Sequence, residues 1–308
     1  MTIDLRLMQK RIRLASFLVF TFFALVIAAP LQAQQNGETV PSKSCLWEVQ
    51  TASSRVFLLG SLHVLKRSAY PLAAAIDRAY AASQRLVFET NLGAMMEPAV
   101  LAKMMELGLY PEGRDLFQNI SATTRNDLEK KLQDLGLPPA NFSRFKPWFI
   151  AVTLTTLELQ RLGFDPRYGL DLHFYTKATA DEKELVYLES VDYQLNLLAK
   201  MNALDQNSFL VQTLKDLEIS TQLAGDMMTA WQNGQAQDLY DLLFKSFEDH
   251  PGIEDRLLTR RNKEWLPQIE KMLKTPKTTL VIVGAGHLIG PDGLVEILKQ
   301  KGYRVKQR

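Results

Sequence analysis

One cysteine and four histidines in 308 residues leave little material for thiol or metal chemistry. Cys45 cannot form an intramolecular disulfide by itself, so an oxidising compartment is allowed but not exploited. It has no evident base partner, which argues against a thiol nucleophile. No clustered basic face of the nucleic-acid-binding kind is present, and no nucleic-acid partner is expected. The His-Glu-x-x-His zinc helix, the Gly-x-Ser-x-Gly elbow and the phosphate-binding loop are all missing. Gly284-Ala285-Gly286 followed by Gly290 faintly resembles a dinucleotide loop, but the acidic residue that should hold a ribose does not follow.

Long apolar runs are equally scarce. The one that stands out, Leu14 to Ala29, is 16 residues long, whereas a spanning helix needs about 20. Lys10, Arg11 and Arg13 precede it, and Leu31-Gln32-Ala33 offers an imperfect cleavage site, so residues 1–33 read as a signal peptide. A periplasmic or secreted location is expected, with an uncleaved inner-membrane anchor as the alternative; only that anchor would tie the chain to a membrane. Taking 4 of the 36 basic residues and 1 of the 34 acids with the signal leaves 32 against 33, a net charge of −1. The basicity of the whole chain therefore belongs to the signal.

What the chain does have is one motif twice. Val56-Phe57-Leu58-Leu59-Gly60-Ser61-Leu62-His63 and Leu280-Val281-Ile282-Val283-Gly284-Ala285-Gly286-His287 each read as a buried strand followed by Gly-x-x-His. Each is followed by a proline-bearing loop, an amphipathic helix and another strand. Histidine suits metal ligation and proton transfer near neutral pH, and glycine permits a tight turn and close backbone approach. A single Gly-x-x-His is an ordinary structural turn; two in matching context point to one composite site.

The periodicity predicts strands over Leu46–Gln50, Arg55–Gly60, Arg85–Glu89, Glu184–Glu189, Thr278–Val283 and Tyr303–Lys306. Helices are expected from Ser68 to about Ser83 with Pro71 in the first turn, over Trp148–Leu162 after Lys146-Pro147, and over Gly169–Ala180. Val191–Asn233, Ala236–Phe247, Ile253–Leu273 (divided or kinked near Pro267) and Asp292–Lys301 also read as helical. The fold class is α/β: a mixed central sheet built from both chain ends with a large, mostly helical middle. A linker over 34–45 would precede a single domain over 46–308, with the helical insertion at about 94–275. Each strand–helix–strand unit should give a parallel pair with a right-handed crossover.

Ligands bind outside the carboxyl ends of strands in open α/β sheets, and those ends carry His63, Glu89, Glu189 and His287. Two imidazoles with one or two carboxylates suit a divalent manganese, cobalt or zinc ion, which can activate water and polarise a carbonyl. The carboxylates also have plainer readings: Glu89 precedes Thr90-Asn91 and Glu189 precedes Ser190, all able to cap a helix. His173 reads as a packed or surface helix residue and His250 as a loop residue. Arg260-Arg261-Asn262 lies on an amphipathic helix, whose default is a solvated face; an arginine there could instead bind a substrate carboxylate or a developing oxyanion.

At these residues the chain resembles the TraB/GumN family, whose eukaryotic relatives include the Tiki proteases. The matching stretches are Leu58 to Val64, Tyr70-Pro71-Leu72, Ala74-Ala75-Ile76, Leu86-Val87-Phe88-Glu89, Lys146-Pro147-Trp148, Gly169-Leu170-Asp171, Leu188-Glu189, Arg261-Asn262 and Val283 to Leu288. The resemblance implies a fold similar to erythromycin-esterase-like and ChaN-like proteins, and metal-dependent proteolysis of a peptide or protein substrate. It makes His63 and His287 ligands or catalytic histidines, Glu89 the motif acid and Arg261 a supporting cation. The resulting expectation is a metal held by His63, Glu89 and His287, with Glu189 as general base or further ligand and Arg261 stabilising developing negative charge. The competing expectation is a non-catalytic envelope protein that binds haem or a peptide through the same histidines.

Overall fold

The computed structural model describes residues 43–244 and 251–308. The signal peptide expected over 1–33, most of the linker expected over 34–45 and His250 lie outside the described residues. Six strands form one sheet: β1 (Leu46–Gln50), β2 (Arg55–Ser61), β3 (Arg85–Phe88), β4 (Glu184–Tyr187), β5 (Thr279–Gly284) and β6 (Val305–Gln307). Their order is β4-β3-β5-β2-β1-β6. β4, β3, β5 and β2 run parallel, while β1 pairs antiparallel with both β2 and β6. The sheet is therefore mixed, and strands from both chain ends contribute to it, with β4 from the middle of the chain at one edge.

β2 and β5 are the central strands, and Val56 to Leu59 and Leu280 to Val283 are at most 7% exposed. Strands covered on both faces read as continuous apolar runs, which is why both were legible. Their register pairs Ser61 with Gly284, so the two Gly-x-x-His loops leave the sheet side by side. Neither strand–helix–strand unit pairs its own strands, however. β5 inserts between β2 and β3, and two strands separate β5 from β6. The parallel sense is kept, but adjacency is lost: β5 pairs with both β2 and β3, and β6 pairs with β1.

Helices cover the sheet and fill the middle of the chain: α1 (Ala74–Ala82), α2 (Pro98–Gly108), α3 (Ala122–Asp134), α4 (Pro147–Arg161), α5 (Leu170–Ala180) and α6 (Val191–Ala199). They continue as α7 (Ala203–Glu218), α8 (Ser220–Gln232), α9 (Ala236–Phe244), α10 (Arg260–Met272) and α11 (Leu294–Gln300). Among the described residues no helix is long and apolar enough to cross a membrane.

Three expected boundaries move. The helix foreseen from Ser68 begins at Ala74, and Ser68 lies instead in a 3-10 turn over Arg67–Ala69. Tyr70, before Pro71, takes φ −106° and ψ 144°, as the ring of a following proline disfavours helical geometry. The long helical stretch 191–233 divides where Asn202 caps α7 by accepting from Asp205 N–H. The break expected near Pro267 comes earlier, as a π-helical turn over Asp255–Thr259, and Pro267 lies inside α10. That turn leads directly into Arg261.

Candidate active site

The carboxyl ends of β2, β3, β4 and β5 gather His63, Glu89, Glu189 and His287 over one edge of the sheet, and α10 lays Arg261 across them. Glu89 and Glu189 lie just beyond their strands, and their backbones pair, Glu189 N–H donating to Glu89 O at 2.9 Å. The helix caps weighed in the sequence are supplied by Asn91 and Ser190, which leaves both glutamates for other work.

Arg261 is the centre of this group. Guanidinium carries five N–H donors, and each has a partner. Nε donates to Glu189 Oε2 at 3.1 Å, and Nη2 to Glu189 Oε1 at 2.7 Å and Glu89 Oε2 at 2.5 Å. Nη1 donates to Leu257 O at 2.8 Å and meets His287 Nε2 at 2.9 Å. The guanidinium also stacks 4.6 Å from the Trp265 ring centre, and Trp265 Nε1 donates to Glu189 Oε2 at 3.1 Å. A substrate oxygen could reach Arg261 only by displacing one of these partners. As arranged, Arg261 bridges the two carboxylates, and Glu189 faces α10 through Arg261 and Trp265.

Glu89 has two faces. Oε2 takes Arg261 and Gln194 Nε2, the latter at 3.0 Å; Oε1 accepts Gly284 N–H at 2.8 Å. Burial opposes its ionisation, but the charge of Arg261, helped by the Gly284 N–H, outweighs that and holds it well below the usual carboxylate range. Glu189 is pushed up by burial, with the Arg261 fork opposing and the charge of Glu89 adding to the push. Arg261 stays charged, because the two carboxylates outweigh its desolvation.

His63 stands apart. Its Nδ1 lies 2.9 Å from Asp171 Oδ2, and the other carboxylate oxygen accepts from Ser61 Oγ at 2.9 Å. Asp171 is 4% exposed, while 44% of the His63 side chain meets solvent. Desolvation pulls the imidazole down, yet Asp171 and then Glu89 pull it up further, so its proton affinity is raised. Solvent on the exposed side of the ring screens that pull. Burial takes His287 the opposite way, down to about 3.

Gly169 makes the His63–Asp171 contact possible. A Cβ on Gly169 would lie 2.0 Å from the His63 carbonyl oxygen, so only glycine lets α5 start against this loop, with Leu170 N–H donating to Leu62 O at 3.2 Å. Gly284 has a different reason. A Cβ there would point between Glu89 Oε1, His63 Nε2 and His287 Cδ2, at 3.4, 3.7 and 3.7 Å. The missing side chain leaves a cradle between the carboxylate and the exposed imidazole.

A model of the TraB/PrgY/gumN family matches residues 45–307. The chain belongs to that family. Relatives of this TraB/PrgY/gumN chain include "Uncharacterized protein YbaP" of Escherichia coli strain K12, 26% identical over 243 residues, which are 79% of this chain and 87% of the relative. An "Uncharacterized protein" of Treponema pallidum strain Nichols is 21% identical over 268 residues, 83% of this chain and 80% of the relative. No solved structure matches the chain, so the likeness to erythromycin-esterase and ChaN folds rests on the sequence resemblance.

The residues of this TraB/PrgY/gumN chain fit a metal only in part. Glu89 Oε1 and His63 Nε2 face the cradle, but His287 turns a carbon, Cδ2, toward it and gives its Nε2 to Arg261. His287 Nε2 lies 3.8 Å from Glu89 Oε1, with a buried cation beside it. Among the described residues no three His, Cys, Asp or Glu side chains form a group able to hold a metal ion. As arranged, His63, Glu89 and His287 meet without forming the expected ligand set.

Sequence reasoning brought His63, Glu89, Glu189, Arg261 and His287 to the same place and missed what holds them. Asp171 and Asn262 were visible only as neighbours within Gly169-Leu170-Asp171 and Arg261-Asn262; Gln194 and Trp265 gave no signal. His173 is packed as expected, its ring 5.2 Å from Tyr70 and 4.8 Å from Phe174.

Proposed function

We propose that this chain is an exported hydrolase that cleaves a carbonyl-centred bond, with a peptide bond as the leading substrate class. The observation that carries the reading is the contrast at one sheet edge. His63 is solvent-reached and backed by a buried carboxylate, and Glu89 turns Oε1 to the same cradle while its Oε2 is held by Arg261, which Glu189 and His287 fix from beneath.

In this reading a water over Gly284 gives its proton to His63 Nε2, while Glu89 Oε1 accepts its other hydrogen and orients it. The water oxygen attacks the carbonyl carbon, and the carbonyl π pair moves onto oxygen. Collapse re-forms the C=O bond and expels the leaving nitrogen or oxygen, which takes the proton back from His63. Asp171 keeps the His63 proton on Nδ1 and stabilises the imidazolium that forms, the part a carboxylate plays behind a catalytic histidine. Arg261 keeps Glu89 ionised and fixed.

The test is a peptide and ester library cleaved by the full chain, with His63→Ala and Glu89→Gln alongside. Cleavage that vanishes in both variants, while circular dichroism and melting are retained, supports the reading. A well-folded protein that cleaves nothing in the library but gives a Soret band with haem, lost in His63→Ala, would replace it with the binding reading.

A further inference from the structure

The two Gly-x-x-His histidines match in sequence but differ in chemistry, and Asn262 sets the difference. Asn262 Nδ2 donates to His287 O at 3.1 Å and to Asp292 O at 2.9 Å. A flipped amide would press its oxygen against two carbonyl oxygens, so the orientation is determined by the network. Asn262 Oδ1 therefore faces His287 Nδ1, at 2.8 Å, and only an N–H on Nδ1 completes that bond. The proton of the neutral ring is then on Nδ1, and Nε2 carries a lone pair. That lone pair lies 2.9 Å from Arg261 Nη1 and accepts the last guanidinium donor. His287 is 2% exposed and tilted against Trp265 at 4.3 Å between ring centres, so the ring has no room to swing.

His63 differs at each of these points. Its Nδ1 is held by an acidic side chain rather than an amide, it is open to solvent, and its Nε2 points at the cradle over Gly284.

We infer that His287 is a positioning residue, a lone-pair acceptor that locks Arg261 beneath Glu89, while proton transfer and any metal contact belong to His63 and Glu89. The catalytic consequence rests on the proposed hydrolysis; the hydrogen-bond assignment stands without it.

Two experiments on the full chain test this. The first is nitrogen NMR of the histidine rings. His287 should show a protonated Nδ1 and an unprotonated Nε2, and its signals should stay in place when zinc chloride is added, while those of His63 are free to move. A proton on Nε2, or a coordination shift of His287 with zinc, would overturn the inference. The second is a comparison of His287→Gln with His287→Ala. A glutamine oxygen can accept from Arg261 but cannot serve as an imidazole ligand or proton carrier. Hydrolysis in His287→Gln should stay within about tenfold of the parent, with His287→Ala and His63→Gln reduced at least about a hundredfold. A His287→Gln protein that folds but is as inactive as His63→Gln would refute the positioning role. If no substrate is cleaved by the parent, the hydrolase reading fails and the NMR result alone decides the role of His287.

Discussion

Asp171 holds His63 Nδ1 at 2.9 Å, although 108 positions separate the two residues in sequence. The contact depends on Gly169, two residues before Asp171, and on Ser61, two residues before His63; together they join the first Gly-x-x-His loop to the start of α5. Its consequences can be measured.

Replacing Asp171 by asparagine removes the charge that raises the proton affinity of His63. A base works only when deprotonated, so kcat/KM of the parent should rise with pH through a midpoint above the ordinary imidazole value of 6.5. In Asp171→Asn the midpoint should move to lower pH, and kcat should fall by about a hundredfold or more. A pH–rate profile of both proteins checks this; an unmoved midpoint would remove Asp171 from the mechanism.

Gly284→Ala tests the cradle. Gly284 has φ −49° and ψ 137°, which alanine adopts freely, and the new methyl would meet only ordinary contacts at 3.4–3.7 Å. Melting should shift by only a few degrees, because the change costs under about 1 kcal/mol. Hydrolysis should be lost, since the methyl fills the place assigned to the water. Full activity with normal stability would place the reaction elsewhere.

Gly169→Ala should do the reverse damage. Its methyl would overlap the backbone carbonyl of His63 at 2.0 Å, and backbone cannot move aside cheaply. A loss of about 1–3 kcal/mol is expected from urea denaturation, together with loosening of the His63–Asp171 contact.

Glu158 reports on the helical middle. It is 1% exposed on α4 and accepts from Arg161, Lys131 and Ser220. The Arg161 bond leads the causes that lower its carboxyl from 4.5 to about 2. A carboxylate depressed in the folded state stabilises above its unfolded value, and that contribution fades as pH falls from about 4.5 toward about 2. Arg161 is largely exposed, so solvent screens its part of the effect. Urea curves between pH 7 and pH 2 should show this loss in the parent and a flatter pH response in Glu158→Gln.

The sequence by itself determined the central strands and the address of the site. Val56 to Leu59 and Leu280 to Val283 are apolar without interruption because both faces of the sheet are covered, and a covered strand has one pattern available to it. Glycine followed by histidine at those strand ends, with Glu89 and Glu189 beside two others, marked the edge where the side chains meet. Lys146-Pro147 marked the start of α4, since proline suits a first turn.

Only the tertiary structure decided what each residue does there. Strand order depends on pairings such as Leu58 with Val281, 223 positions apart, which no local window records. His63 and His287 share a motif, yet one meets the buried carboxylate of Asp171 and the other the amide of Asn262, and these partners arrive from separate helices. Hydrogen bonding at a histidine's second nitrogen sets its tautomer and so its chemistry. Two copies of one Gly-x-x-His pattern therefore became one exposed, proton-attracting imidazole and one buried acceptor for Arg261.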